Sequence, residues 1–203
     1  MAVGAERESP DPRCPWAHSA DEYLAYHDHE WGRPVADDRL VLERICLEGF
    51  QSGLSWITIL RKRSAFRRAF RDFEPALVAQ FGERDVSRLL QDRAIVRHPG
   101  KIRAAVANAR ATLRLQDAGQ SLAKLCWDHE PAPVPPPRTM ADIPQSIPES
   151  AALARELKRR GFGFVGAVSA YSLMQSLGLV NDHLADCPVR PQVEHQRQGF
   201  PRP

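Results

Sequence analysis

The sequence has no hydrophobic run of the length a membrane span requires. Met1 to Arg13 is polar and acidic, with no apolar stretch to serve as a secretory signal. A cytoplasmic location is the default expectation. Only four cysteines occur, Cys14, Cys46, Cys126 and Cys187. Disulfides are rare in a reducing compartment, so metal binding or plain burial is the better reading of them. Period-two strand patterning and internal repeats are missing. So is a glycine-rich strand–helix phosphate loop, and nothing points to a redox, nucleotide or flavin cofactor. Net charge is a modest +3.

That small charge hides an asymmetry. Residues 1–60 carry five Lys/Arg and eleven Asp/Glu, leaving the excess of positive charge to the rest of the chain. A polyanionic partner for the second part fits this polarity, as does random scatter over a solvated surface. The chain length of 203 residues suits one domain or two small intimate lobes.

Helical periods dominate. A helix is expected from Asp37 or Asp38, with Leu42, Ile45 and Cys46 inward and Gly49 and Gly53 interrupting it. Others are expected from about Ser55 to Phe70, from Lys101 to Leu115 with Pro99 in its first turn, and from about Phe164 to Leu177 with Gly178 behind it. Ser146 and Glu149 form a capping-box pattern before a further helix that Gly161 would end. Residues 131–148 hold seven prolines and read as a surface loop. The tail from Pro188 onward reads as frayed. The fold class is all-α.

Three constellations carry chemistry. Cys14 and His27 near one end, and His183 and Cys187 near the other, supply a four-ligand set that could close a tetrahedral, structural zinc site. Asp28 or Asp182 would orient a histidine. The alternatives are unrelated cysteines or a Cys14–Cys187 disulfide; a catalytic metal on His27, His29 and Glu30 is a third reading. Second, aromatics crowd the first quarter as Trp16, Tyr23, Tyr26, Trp31 and Trp56. Among them Glu48 sits in an apolar, glycine-flanked turn, where a carboxylate is costly to bury without purpose. Aromatic faces and one acid would receive a flat, electron-poor base; structural tryptophans and an Arg-paired Glu48 are the plainer reading. Third, Lys158 through Gly166 separates two helices with glycines and cations, a plausible phosphate clamp or an ordinary helical hairpin.

Taken together, these segments resemble the 3-methyladenine DNA glycosylase I family of the helix-hairpin-helix glycosylases. The likeness rests on Cys14-Pro15-Trp16, Tyr26 through Gly32, Cys46 through Trp56, Ile95 through Ile102, Lys158 through Gly166 and Gly178 through His183. It covers about residues 13–187, leaving 1–12 and 188–203 as expected flexible tails. It implies a two-lobed all-α fold with the base pocket in the cleft. Cys14, His27, His183 and Cys187 would hold one structural Zn2+. Glu48 would recognise the base, Tyr26 and Trp56 would wall the pocket, and Trp16, Tyr23 and Trp31 would lie close by. Gly161, Gly163, Gly166 and Lys158 would grip the DNA backbone. The implied reaction is release of 3-methyladenine from alkylated double-stranded DNA by a monomer, leaving an abasic site. The rival is a non-catalytic zinc-stapled DNA-binding module. Phe50 and Ser52 stand where the best-known members have Gln and Ala, a departure that bears on substrate range.

Overall fold

The computed structural model describes residues 11–203, so the expectation of a flexible 1–12 falls, for residues 1–10, outside the described residues. Among the described residues there is no strand, and no helix is long and apolar enough to cross a membrane. Ten α-helices follow in order: α1 Asp21–His29, α2 Asp38–Gln51, α3 Trp56–Ala69, α4 Pro75–Val78, α5 Glu83–Gln91, α6 Pro99–Asp117, α7 Leu122–Trp127, α8 Pro148–Arg159, α9 Ala167–Leu177 and α10 Arg190–Gly199.

The central element is α2. Its N-terminus is fixed by Asp37, whose carboxylate accepts the Leu40 N–H at 2.8 Å. From there Val41, Leu42, Ile45, Cys46 and Phe50 are all buried, so the helix contributes most of its surface to the core. It packs on α3, α6, α7 and α9. The expected break at Gly49 does not occur, because α2 continues to Gln51. A glycine is used there to admit a neighbour: a Cβ on Gly49 would lie 3.2 Å from the Phe164 side chain. Gly53, at φ +79°, makes the turn that follows.

Pro99 does open α6, and the His98 ring caps it by accepting the Lys101 N–H at 3.2 Å. The start of α8 differs from the Ser146/Glu149 expectation. The Ile147 N–H donates instead to the Ser150 hydroxyl, which is buried and donates back to the Ile147 carbonyl. Burial decides the choice, since Ser146 is exposed. Gly178 ends α9 in the left-handed region, and a Cβ there would meet the backbone of Gly32, Arg33 and Pro34 at 2.7 Å.

The tail is a correction. Arg190–Gly199 is helical, with Val193 fully buried against Gly32 and His183. Arg33 reaches Gln192 and Gln196 on that helix, and Arg197 donates to the Gly178 and Leu179 carbonyls. Its polar composition hid this docking, because a single buried valine carries no periodic signal.

Candidate functional site

Four chain segments converge around Glu48. It lies three residues before the end of α2, only 7% exposed. Burial lifts its carboxyl from the ordinary 4.5 to about 8, against a partial pull downward from the Arg44 charge, and no hydrogen bond holds it. The sequence expectation placed Glu48 in a turn; helix α2 holds it more rigidly than a turn would.

Glu48 opens into a cavity of ≈ 400 Å³ walled by Trp16, Tyr23, Tyr26, Trp31 and Trp56. Tyr26 and Trp56 stand 5.6 Å apart at 50°, a splayed pair that presents two faces. Trp56 is the first residue of α3, and that helix start is held by Tyr23, whose hydroxyl accepts the Ile57 N–H at 2.8 Å. Tyr23 therefore orients Trp56 as well as lining the wall. Ser19, Gln51, Met140, Ile143, Ser172 and Gln175 complete the lining. Sequence reasoning missed these; Met140 and Ile143 come from the proline-rich crossing, where no periodicity flags an inward residue.

A second cavity of ≈ 600 Å³ adjoins the first and shares Glu48, Gln51 and Ser172 with it. It is a groove between the turn at Ser52, Gly53 and Leu54 and the hairpin that joins α8 to α9. Lys158, Phe164 and Gly166 line it, while Gly161 and Gly163 shape the loop rather than the groove. Gly161 has φ +93° and Phe164 has φ +55°. Buried Asn108 of α6 clamps the loop, accepting the Gly163 N–H at 2.7 Å. A Cβ on Gly163 would lie 3.1 Å from that of Ala104, so the loop and α6 approach closely there. Lys101 holds the opposite rim: its buried ammonium donates to the Phe50 carbonyl at 2.9 Å and to the Ser52 carbonyl at 2.5 Å. Lys101 and Asn108 lie on one long helix and were not singled out from sequence, because a buried Lys or Asn looks like a surface residue until its partners are known. Leu54, Phe164 and Val168 leave large apolar side chains exposed at the groove.

Behind the aromatic wall, Cys14, His27 and Cys187 are buried with their ligand atoms within 4.8 Å of one another. His183 is not inside that radius, but it is fully buried and its ring lies 4.7 Å from that of His27. Each imidazole has one nitrogen committed outward: His27 Nδ1 to Asp28 at 2.7 Å, and His183 Nδ1 to Asn181 at 3.0 Å. His27 Nε2 then lies 3.6 Å from Cys187 Sγ, while His183 Nε2 lies 3.4 Å from the His27 carbonyl oxygen at the edge of the cluster. Burial holds both rings below their ordinary value, His183 down to about 3, so both are neutral as ligands must be. Two cysteines and two neutral imidazoles are the donor set a structural Zn2+ takes; burial pushes the Cys14 thiol up to about 12, so both cysteines would give up their protons on binding the ion. Of the expected orienting acids, Asp28 takes the role. Asp182 instead accepts hydrogen bonds from the Tyr171 hydroxyl and the Gln175 amide and lines neither cavity. The catalytic-metal set is not assembled, because His29 is exposed and Glu30 is paired to Arg63.

Trp16 and Trp31 tie this cluster to the pocket. Trp16 is in edge contact with His27 and Trp31, and Trp31 packs edge-on to His183. Cys46 and Cys126 are buried core residues outside the cluster.

Residues 16–191 match the model of the Methyladenine glycosylase family. The chain is 48% identical over 178 residues to DNA-3-methyladenine glycosylase 1 of Escherichia coli, covering 86% of this chain and 95% of that one. It is 41% identical to DNA-3-methyladenine glycosylase of Haemophilus influenzae, covering 88% and 97%. A solved structure of 3-methyladenine DNA glycosylase I from Staphylococcus aureus, concerned with 3-methyladenine recognition, superposes with a TM-score of 0.84 at 34% identity, covering 90% of this chain and 98% of that one. The chain belongs to the methyladenine glycosylase family.

Proposed function

We propose that this protein excises 3-methyladenine from alkylated duplex DNA, with the aromatic cavity receiving the extruded base and the adjoining groove holding the backbone. The observation that carries the reading is Glu48: a buried carboxyl without a hydrogen-bond partner that faces both cavities at once. A buried acid without a partner stands ready for one that arrives.

The chemistry asks for little acid–base help. Methylation at N3 makes the base cationic, which weakens its bond to the sugar because it departs neutral. The extruded base stacks on Trp56 and Tyr26. A cation beside Glu48 draws the carboxyl back to its ionised form. The carboxylate then accepts hydrogen bonds from the adenine edge and balances the ring charge. Water attacks the sugar, leaving an abasic site. Lesions that are easily unstacked, cationic and adenine-shaped meet all three demands.

The hairpin would act as the helix-hairpin-helix clamp, its backbone N–H groups and Lys158 meeting phosphate. Leu54, exposed on a tight turn at the mouth, is placed to wedge into the gap that extrusion leaves. The helices read as two lobes: α4 and α5 pack on α6, α8 packs on α9, and α2 touches both α6 and α9. Cys14, His27, His183 and Cys187 would hold one Zn2+ in a closed shell that ties α10 to α1 and fixes Trp16 and Trp31. When bound, the ion supplies structural closure and no chemistry at the base.

Release of free bases from alkylated duplex DNA, resolved by chromatography, tests this. A dominant 3-methyladenine peak with little 7-methylguanine is expected. Folded, zinc-loaded protein that binds DNA but releases nothing would instead establish the zinc-stapled binding module.

A further inference from the structure

A third, smaller cavity of ≈ 190 Å³ lies behind the pocket wall, lined by Tyr26 and Glu30 of α1, Glu43, Arg44 and Glu48 of α2, and Trp56, Arg63 and Arg67 of α3, among others. The charges are nearly all matched. Arg63 and Glu30 form a bidentate pair at 2.5 and 2.6 Å, and Arg67 donates to Glu43 at 2.8 Å. Arg44 has no acid within ion-pair distance among the described residues, and its Nη1 is shut off from solvent without a partner. Glu43 Oε2 and the Trp56 indole N–H are likewise buried and unpartnered. These three atoms are closed off within the wall, but Arg44 and Glu48 both line the cavity with no hydrogen-bond partner among the described residues, and water is the partner a polar cavity of this size admits. The volume holds a handful of waters at ~30 Å³ each, and the donors and acceptors to fix them are present.

Arg44 and Glu48 are one helical turn apart on α2 and line this same cavity. No direct ion pair joins them. Resting on the reading of Glu48 as the base-recognising acid, we propose that Arg44 is a positioning residue for Glu48: through water held in this rear cavity, its charge keeps the carboxylate available to the incoming cationic base. The arrangement separates two jobs. Tyr26 and Trp56 face the base in front, and the counter-charge that steadies Glu48 is supplied from behind, out of the base's reach. A direct Arg44–Glu48 pair would occupy the carboxylate oxygens that the base needs. A water-separated one leaves them open.

The other titratable groups around Glu48 are Glu43 on α2, Tyr26 and Glu30 on α1, Arg63 and Arg67 on α3, and Lys158 on α8 across the groove. Arg44 also acts on Tyr26, Glu30 and Glu43, but after its removal Glu30 keeps Arg63 and Glu43 keeps Arg67, so Glu48 is the acid left without a cation. Burial already lifts the Glu48 carboxyl to about 8, and Arg44 is the charge that opposes this.

The test is the pH profile of kcat/KM for 3-methyladenine release by wild type, Glu48→Gln, Arg44→Gln and Arg44→Lys, which reports groups of the free enzyme. Wild type should show a limb rising with pH as Glu48 ionises, and Glu48→Gln should lack it. If Glu48→Gln keeps the limb, the reading of Glu48 fails, whatever Arg44 does. If the limb belongs to Glu48, Arg44→Gln should move its midpoint up by about one pH unit. Activity would be about tenfold lower at neutral pH and would recover in alkali, and Arg44→Lys should restore the wild-type midpoint. An unmoved midpoint in folded Arg44→Gln overturns the proposal, since a packing role would lower activity at every pH. A wild-type crystal structure resolving waters decides independently of any variant's folding: water bridging Arg44 to Glu48 is expected, and a dry cavity refutes it.

Discussion

Replacing Glu48 with Gln should make the protein more stable and less active, and the size of the first effect follows from burial. The amide keeps the shape of the acid but never ionises. In the folded protein the Glu48 carboxyl sits at about 8 in place of 4.5. A raised folded value means that the native state holds the proton more tightly than the unfolded chain. The wild type is therefore free of the penalty below about pH 4.5 and accumulates it as pH rises to about 8. At about 1.36 kcal/mol per pH unit, the full difference is about 5 kcal/mol. Water in the adjoining cavities screens part of this, so an advantage of about 2–5 kcal/mol for Glu48→Gln is expected at pH 8–9. In a chain of this size that is roughly 5–20 °C in Tm. At pH 4.5 the two proteins should melt together. Thermal unfolding followed by circular dichroism from pH 4.5 to 9 reads the divergence, and base release by the same samples should fall at least tenfold. Parallel Tm–pH curves would show that Glu48 is not held in a desolvated site, and near-normal release would show that its charge is not used.

The other elements of the account give sharper single tests. Asn108→Ala removes the acceptor of the half-buried Gly163 N–H and should cost about 1–3 kcal/mol; it should also weaken binding of duplex DNA, read by fluorescence anisotropy, and unchanged affinity would detach the hairpin from DNA gripping. Gly178→Ala forces a Cβ to within 2.7 Å of three backbone atoms at φ +79°, so a loss of roughly 2–4 kcal/mol in denaturant unfolding is expected; a neutral result would contradict the close approach of residues 32–34 to the end of α9. A strong chelator should lower Tm and activity together, with one zinc per chain by elemental analysis, whereas activity lost from fully folded protein would favour a catalytic metal. Val193→Asp should destabilise by several kcal/mol, because it buries a charge beside His183; a mutant as stable as wild type would return the tail to the frayed state expected from its composition.

Much of the fold was legible because its helices carry their own signals. Asp37, Pro99 and Gly178 marked helix ends that the structure keeps. Where a local cue competed with a tertiary one, the tertiary one won. Gly49 looks like a break until Phe164 is seen leaning over it, and α10 looks like a tail until Val193 is seen in its socket. The aromatic residues and Glu48 could be found because buried acids among tryptophans are unusual. Lys101, Asn108 and Arg44 could not, since each is an ordinary helix-surface residue type whose meaning lies in partners fifty or so residues away or in a cavity no sequence displays. His183 shows the same limit at smaller scale: spacing suggested four equal ligands, and the structure gathers three closely with the fourth alongside.

The central claim is that the cavity walled by Tyr26 and Trp56 is where a methylated adenine is held by Glu48. Titrating wild type and Glu48→Gln with free 3-methyladenine and with unmethylated adenine, followed by tryptophan fluorescence, addresses it without DNA. Saturable quenching by 3-methyladenine in wild type, sharply weakened in Glu48→Gln and absent with adenine, is the expected result. Quenching that persists unchanged in Glu48→Gln, or none at all from protein that releases the base from DNA, would place recognition elsewhere.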